Sequence, residues 1–246
     1  ALVTRSVSTF SRVDSFTGDT GGGSLLGSDL NPLVRLAQKL VYESMFAGIK
    51  EIVNTVPQMQ EWKTGLEVDG VEEEDLADLP TFSTAPLSYA TEIGEHLMTI
   101  PQQLEPFVPD EVDAPLSSPW DPRFWRSSTQ SQPPPEENLY EGGGEQFARR
   151  WISAVGFGTM DLLVDTVCTI PSVEGNGPMQ LATDLEYIGN VLGALGVNPT
   201  EEYAATRELL EIASDEFQAY SNKLESETQK KLARRIGAVR GMNVNV

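Results

Sequence analysis

An all-α helical bundle with long disordered linkers is the fold this sequence predicts, and three observations predict it. Apolar residues recur at steps of three and four in each segment able to bury a core, the spacing of one helical face. No stretch alternates apolar and polar residues as a half-buried strand would. Between the helical segments lie runs rich in Gly, Ser, Pro and acids, which bury too little apolar surface to offset the entropy of ordering them. These are residues 1–28 with "TGDTGGGS", an insert at about 65–78 with "EEED", and an insert at about 109–144 with "PWDP", "SSTQSQPPPEE" and "EGGGE". The expected organisation is a disordered segment, 1–28, followed by one C-terminal helical bundle domain, 29–246, that carries both inserts. The roughly 150 residues left over suffice for one sizeable core.

The first helix is expected from Asp29 to Asn54, with Leu33, Val34, Leu36, Leu40, Val41, Met45, Phe46 and Ile49 on a broad apolar face. Pro32 falls in its first turn, where a missing N–H costs nothing, and Pro57 ends it. A second helix starts at Pro86 after Ser83 or Thr84 as cap, buries Leu87, Ala90, Ile93, Leu97 and Met98, and stops at Pro101. Leu104, Phe107 and Val108 then pack as an extended tail.

The third helix runs from Glu145 to Ile170 on Phe147, Trp151, Val155, Leu162 and Val167, and Pro171 closes it. Gly156 and Gly158 inside it each cost about 1 kcal/mol against Ala, so either something approaches the backbone there or the helix bends. After the turn "GNGPMQ" comes the most informative helix, "QLATDLEYIGNVLGALG", Gln180 to Gly196. Asn198 then caps a helix of about Pro199–Ser214, with Pro199 first and Glu201 and Glu202 in the first turn. Phe217 to Leu224 reads as helix or turn, and a last helix spans about Ser226–Arg240.

Leu181, Leu185, Ile188, Leu192 and Leu195 form a helix-packing seam, one apolar stripe over four turns. Ala182, Gly189, Gly193 and Ala194 beside it are small enough to admit a second helix, and Gly189–Gly193 has small-xxx-small spacing. Asp184, Glu186, Tyr187 and Asn190 have no His, Lys or Cys near them in sequence, so bonds between helices or to water suit them better than catalysis. This helix is therefore expected to hold other helices together rather than to line an active site.

Composition narrows the function. A formal net charge of −20 argues against a nucleic-acid binder, which needs a basic footprint. The cations Lys230, Lys231, Arg234, Arg235 and Arg240 cluster at the end. They read either as a solvated helix complementing its own C-terminal dipole or as a candidate contact for an acidic surface, anionic lipid included. One cysteine, Cys168, rules out a disulfide within the chain, points to a reducing compartment, and reads as a packing residue. No segment approaches the apolar length of a membrane span. The start, "ALVTRSVSTF", lacks a Met and a signal-peptide core, so the chain is expected to be the later part of a longer protein.

Catalytic signatures are sparse. His96 is the sole histidine, on a helix beside Glu95 with no nucleophile motif, and one His with one Cys cannot build a zinc site of the usual ligands. "GFGTMD" has two glycines of a dinucleotide fingerprint but follows a helix, and "GGGE" lacks the Lys of a phosphate loop. Asp161 and Asp165 share one helical face, a pairing that does acid–base work only when burial separates their pKa values. No cofactor or metal is expected. An enzyme using carboxylates alone ranks behind an acidic all-helical adaptor or scaffold.

Two long stretches carry a family resemblance. "IPSVEGNGPMQLATDLEYIGNVLGALGVNP" and "LPTFSTAPLSYATEIGEHLMTIPQQLEPFV", with fainter "AQKLVYESMFAGI" and "KLARRIGAVRGMN", resemble the C-terminal part of the seventh subunit of the conserved oligomeric Golgi complex. The matching positions include Gln180, Leu181, Ala182, Thr183, Asp184, Tyr187, Asn190 and Gly196, and Leu79, Pro80, Phe82, Tyr89, Gly94, Pro101 and Phe107. The residues from Asp110 to Gly144 match nothing in that family, and the chain is much shorter than its members. The resemblance implies a helical bundle of the multisubunit-tether rod type. It implies a non-enzymatic role in tethering vesicles for intra-Golgi retrograde transport and in retaining glycosylation enzymes. Other tether subunits, SNAREs, Rab-type GTPases and coat proteins would be partners, at the cytoplasmic face of the Golgi membrane and without nucleic acid.

Overall fold

The computed structural model describes residues 24–62, 85–107 and 144–242. Among them are seven α-helices, three short 3-10 segments and no strand. The helices are α1 (Ser24–Thr55), α2 (Ser88–Leu104), α3 (Gly144–Val167), α4 (Gly177–Ala194), α5 (Glu201–Glu211), α6 (Ser214–Ser221) and α7 (Glu227–Val239). Of the expected linkers, 1–23, 65–78 and 109–143 lie outside the described residues, as do the expected caps Ser83 and Thr84 and the tail residue Val108. Residues 24–28 instead form the first turns of α1. Gly27 and Ser28 look like loop residues, but each costs no more than about 1 kcal/mol in a helix interior, which a helix this long absorbs.

The residues fall into two compact units, one drawn from Ala1–Gly48 and Thr99–Gly158, the other from Ile49–Met98 and Thr159–Val246. In the first, Tyr42, Met45 and Phe46 are buried on α1, Ile100 and Leu104 on α2, and Trp151, Ala154 and Val155 on α3. Tyr42 and Phe46 stack, with ring centroids 5.3 Å apart. The Tyr42 hydroxyl fills the space where a Gly158 side chain would start, so that glycine serves a close approach. Leu36 and Leu40 depart from the expected apolar face, at 54% and 56% exposure. Pro101 also departs from expectation, lying inside α2. Stopping there would give up the helical register that buries Leu104 one turn after Ile100.

The second unit holds the larger core. Trp62 is 1% exposed, donates from Nε1 to the Val56 carbonyl at 2.6 Å, and meets Tyr89 edge-on. Its own carbonyl accepts the Glu174 N–H at 3.0 Å, while the Val173 N–H bonds to the Val239 carbonyl at 2.9 Å. The connection after α3 is thus tied both to the 3-10 segment Gln60–Trp62 and to the end of α7. α3 itself ends at Val167, and Thr169 and Ile170 continue as turns rather than helix.

α5 packs on both α4 and α7. Thr200, not Asn198, caps it: Thr200 is extended and its Oγ1 accepts the Tyr203 N–H at 3.3 Å, a bond Asn198 is one turn fraction too early to make. The helix expected to run to Ser214 ends at Glu211, where Ile212 turns extended, and the stretch expected as helix or turn forms a separate helix, α6, from Ser214. α7 is amphipathic, with Leu232, Ala233, Ile236, Gly237 and Val239 buried.

Candidate functional site

The seam helix α4 buries one face in the core of its unit. Leu181, Leu185, Ile188 and Leu192 are each no more than 1% exposed. Leu195 stands apart, half-buried at the C-cap and outside the helix. Gly196 follows it. At φ 79° it turns the chain left-handed, and the Val197 N–H bonds to the Leu192 carbonyl at 2.9 Å while the Gly196 N–H bonds to that of Gly193 at 3.0 Å. That pair of bonds is a Schellman ending, and it folds buried Val197 back toward Leu192.

The small residues of α4 divide likewise. A side chain at Gly189 would meet Tyr203 Cε1 at 3.5 Å, so α5 does come near there. At Gly193 nothing lies within 4 Å, and Ala194 is exposed. The Gly189–Gly193 spacing therefore does not mark a helix crossing, because only one of its two positions faces a neighbour. Tyr203 also donates its hydroxyl to the Leu185 carbonyl at 2.7 Å, and burial pushes that phenol well above its ordinary pKa.

A polar clamp flanks the seam. Asp184, 0% exposed, accepts the Leu87 N–H at 2.9 Å and the Gln180 side-chain N–H at 3.0 Å, both on Oδ1. Gln180 Nε2 also donates to the Ala85 carbonyl at 3.0 Å. Because the Leu87 carbonyl receives the first helical bonds of α2, from Ala90 and Thr91, the carboxylate of Asp184 sits at that helix's start. Asp184 Oδ2 has no partner in good hydrogen-bond geometry, although the Tyr89 hydroxyl interacts with the carboxylate. Burial raises the Asp184 pKa, and the bonds from Leu87, Tyr89 and Gln180 oppose the rise. Tyr89 is pushed up as well, by burial first and the neighbouring carboxylate second. A second close approach reinforces the clamp: a side chain at Gly94 on α2 would meet Tyr187 Cε1 at 2.9 Å and Oη at 3.0 Å.

This group holds one helix to another rather than presenting a reactive carboxylate. Its one well-bonded oxygen is occupied by a backbone N–H and an amide, and the Tyr89 phenol beside the carboxylate is itself buried. Asp165 pairs with Arg235 at 3.3 Å, and half-buried Asp161 lies a turn before it on α3. His96 is half-buried on α2. Cys168 is half-buried, and burial pushes its thiol up to about 11 although Arg235 pulls the other way. Gly156, Phe157 and Gly158 lie within α3, where no loop can cradle a phosphate. Among the described residues no three His, Cys, Asp or Glu side chains are grouped to hold a metal ion.

The basic cluster is dispersed by the fold. Arg235 turns to Asp165, and Lys230 pairs with Glu227 at 3.5 Å. Arg240 points at α5, donating to the Leu209 and Ile212 carbonyls at 2.7 Å each. Lys231 and Arg234 are exposed on α7. The dipole that Arg240 complements thus belongs to α5, not to its own helix.

Sequence reasoning offered bonds between helices for Asp184 but missed its pairing with Gln180 and Leu87, and it missed this cap. A signal existed for the first, since Gln180 and Asp184 immediately precede two seam leucines at i, i+4. For Arg240 there was none, because its targets are backbone carbonyls about thirty positions earlier.

Comparison with known proteins supplies the biological context. The family model described as "Golgi complex component 7 (COG7)" matches residues 24–240. The protein named "Conserved oligomeric Golgi complex subunit 7" from Mus musculus is 31% identical over 223 residues, covering 89% of this chain and 27% of the mouse protein. Its Homo sapiens counterpart is 29% identical over 223 residues, with 89% and 27% covered. The Arabidopsis thaliana protein of the same name is 30% identical over 159 residues, 65% of this chain and 16% of that protein. The chain thus spans about a quarter of the length of its mammalian relatives. No solved structure matches it.

Proposed function

The chain belongs to the Golgi complex component 7 family, and from that membership we propose that it serves as a non-enzymatic part of a Golgi vesicle-tethering complex. Its role is to support intra-Golgi retrograde vesicle transport, and with it the retention of glycosylation enzymes, through contacts between proteins. The family match over residues 24–240 carries this reading. The arrangement of α4 is compatible with it: the acids and the apolar seam are used to join helices, which leaves the outer helix faces as the surfaces available for binding.

The partners proposed are the other subunits of the oligomeric Golgi complex, with SNAREs, Rab-type GTPases and coat proteins as further contacts. Many modest contacts of this kind add up through linkage. The proposed location is the cytoplasmic face of the Golgi membrane, held peripherally. None of the described helices is long and apolar enough to cross a membrane. The test is affinity purification of the tagged protein containing this chain, at its natural level, from a mild membrane extract. Recovery of the other Golgi tether subunits is expected, and repeated recovery without any of them would overturn the proposal.

A further inference from the structure

Arg240 gathers the junction of α5, α6 and α7. Besides its bonds to the Leu209 and Ile212 carbonyls, its guanidinium lies 5.0 Å from the centroid of the Phe217 ring on α6. The remaining partner is the Ser214 hydroxyl, 3.4 Å from Nη2. All of these groups are neutral, and among the described residues Arg240 has no carboxylate within ion-pair distance. Burial alone lowers its pKa, with no acid opposing the shift. The result is a half-buried cation facing a serine, with no counter-charge among the described residues.

Ser214 is exposed, as are Ala213 before it and Asp215 and Glu216 after it. The approach is extended, with Ile212 at φ −61° and ψ 133° and Ala213 at φ −58° and ψ 145°. Ala213 to Glu216 are exposed ahead of buried Phe217, so an enzyme can reach the Ser214 hydroxyl from the extended Ile212–Ala213 side while Phe217 stays in the core.

We infer that Ser214 is a phosphorylation site whose phosphate is received by the Arg240 guanidinium. The modifying enzyme is a protein kinase that uses a nucleoside triphosphate and accepts acidic residues directly after its serine. Ser214 Oγ bonds to the γ-phosphorus, and the bond from that phosphorus to the β–γ bridging oxygen breaks. The hydroxyl proton passes to the kinase's base, and the nucleoside diphosphate leaves. The product carries a charge of about −1.5 to −2 at pH 7 and three acceptor oxygens where one hydroxyl stood. A long contact from a cation to a neutral hydroxyl becomes one between opposite charges, of the kind a guanidinium makes with phosphate oxygens. Asp215 and Glu216 repel the phosphate, but they are exposed to water and salt, whereas the guanidinium is half-buried and already bonded to Ser214. Phosphorylation thus ties the start of α6 to the end of α7. This inference stands apart from the tethering role.

The test treats the full chain with magnesium ATP and an acid-directed serine/threonine kinase, maps the site by mass, and titrates the phosphate by phosphorus NMR. Phosphate is expected on Ser214. Its second ionisation should fall by about half a pH unit or more in the folded chain relative to the chain in urea, as a neighbouring cation favours the dianion. In Arg240→Gln the shift should shrink. No phosphate at Ser214, identical titration in folded and unfolded chain, or an undiminished shift in a folded Arg240→Gln would each overturn the inference. Should that variant not fold, the comparison of folded and urea-treated wild type decides.

Discussion

Replacing Asp184 by Ala and by Asn separates the hydrogen bonds of the clamp from its charge. In Asp184→Ala, the Leu87 N–H and the Gln180 amide lose their shared acceptor. Leaving a buried backbone donor unmet costs about 1–3 kcal/mol. The expected loss is therefore about 1–3 kcal/mol. Asp184→Asn keeps an Oδ1 acceptor for both donors and removes a charge that burial disfavours, so at pH 7 it should match wild type or exceed it.

The pH dependence gives this pair a second readout. The folded pKa of Asp184 is raised above its unfolded value. Its contribution to stability is thus fully present below the unfolded pKa, about 3.9, and is lost as pH rises through the folded pKa. The advantage of Asp184→Asn over wild type should therefore grow from about pH 4 upward and level off above the folded pKa. The assay is urea unfolding followed by far-UV circular dichroism across that range. Equal destabilisation by Asn and Ala at pH 7, or a pH-independent difference between Asn and wild type, would refute the reasoning.

Two further outcomes follow from contacts in the same unit. Gly94→Ala should destabilise the wild-type chain, since overpacking against Tyr187 costs about 1–3 kcal/mol and exceeds the roughly 1 kcal/mol gained in helix propensity. In a Tyr187→Ala background the same substitution should stabilise, and thermal unfolding of the four variants checks the change of sign. Cys168, with its thiol near 11, should react slowly with iodoacetamide at pH 8 and at least about tenfold faster in urea. Equal rates, followed by mass spectrometry, would contradict its burial.

How much of this was legible in the sequence depends on the range of the interactions involved. The existence of the helices rests on local periodicity, which is why the burial of Leu181, Leu185, Ile188 and Leu192 and the Gly196 stop could be read directly, though not the departure of Leu195. Boundaries decided by longer-range contacts could not. Pro101 reads as a stop until Leu104 is seen buried beyond it, and the break at Ile212 is stabilised by Arg240. Leu36 and Leu40 continue an apolar stripe whose pattern does not reveal whether a neighbour covers it. The clamp depended on knowing that residues 85–87 lie against α4. The basic cluster misled for a related reason: proximity in sequence suggested one surface, while the side chains of Arg235 and Arg240 turn to different helices.

That α4 is the packing member of its unit, and not the wall of a reaction site, is tested most directly by urea unfolding of Leu185→Ala and Leu192→Ala. With both side chains sealed at 1% exposure or less, each variant should lose about 2–5 kcal/mol. Unfolding midpoints that stay at the wild-type value in both would contradict it.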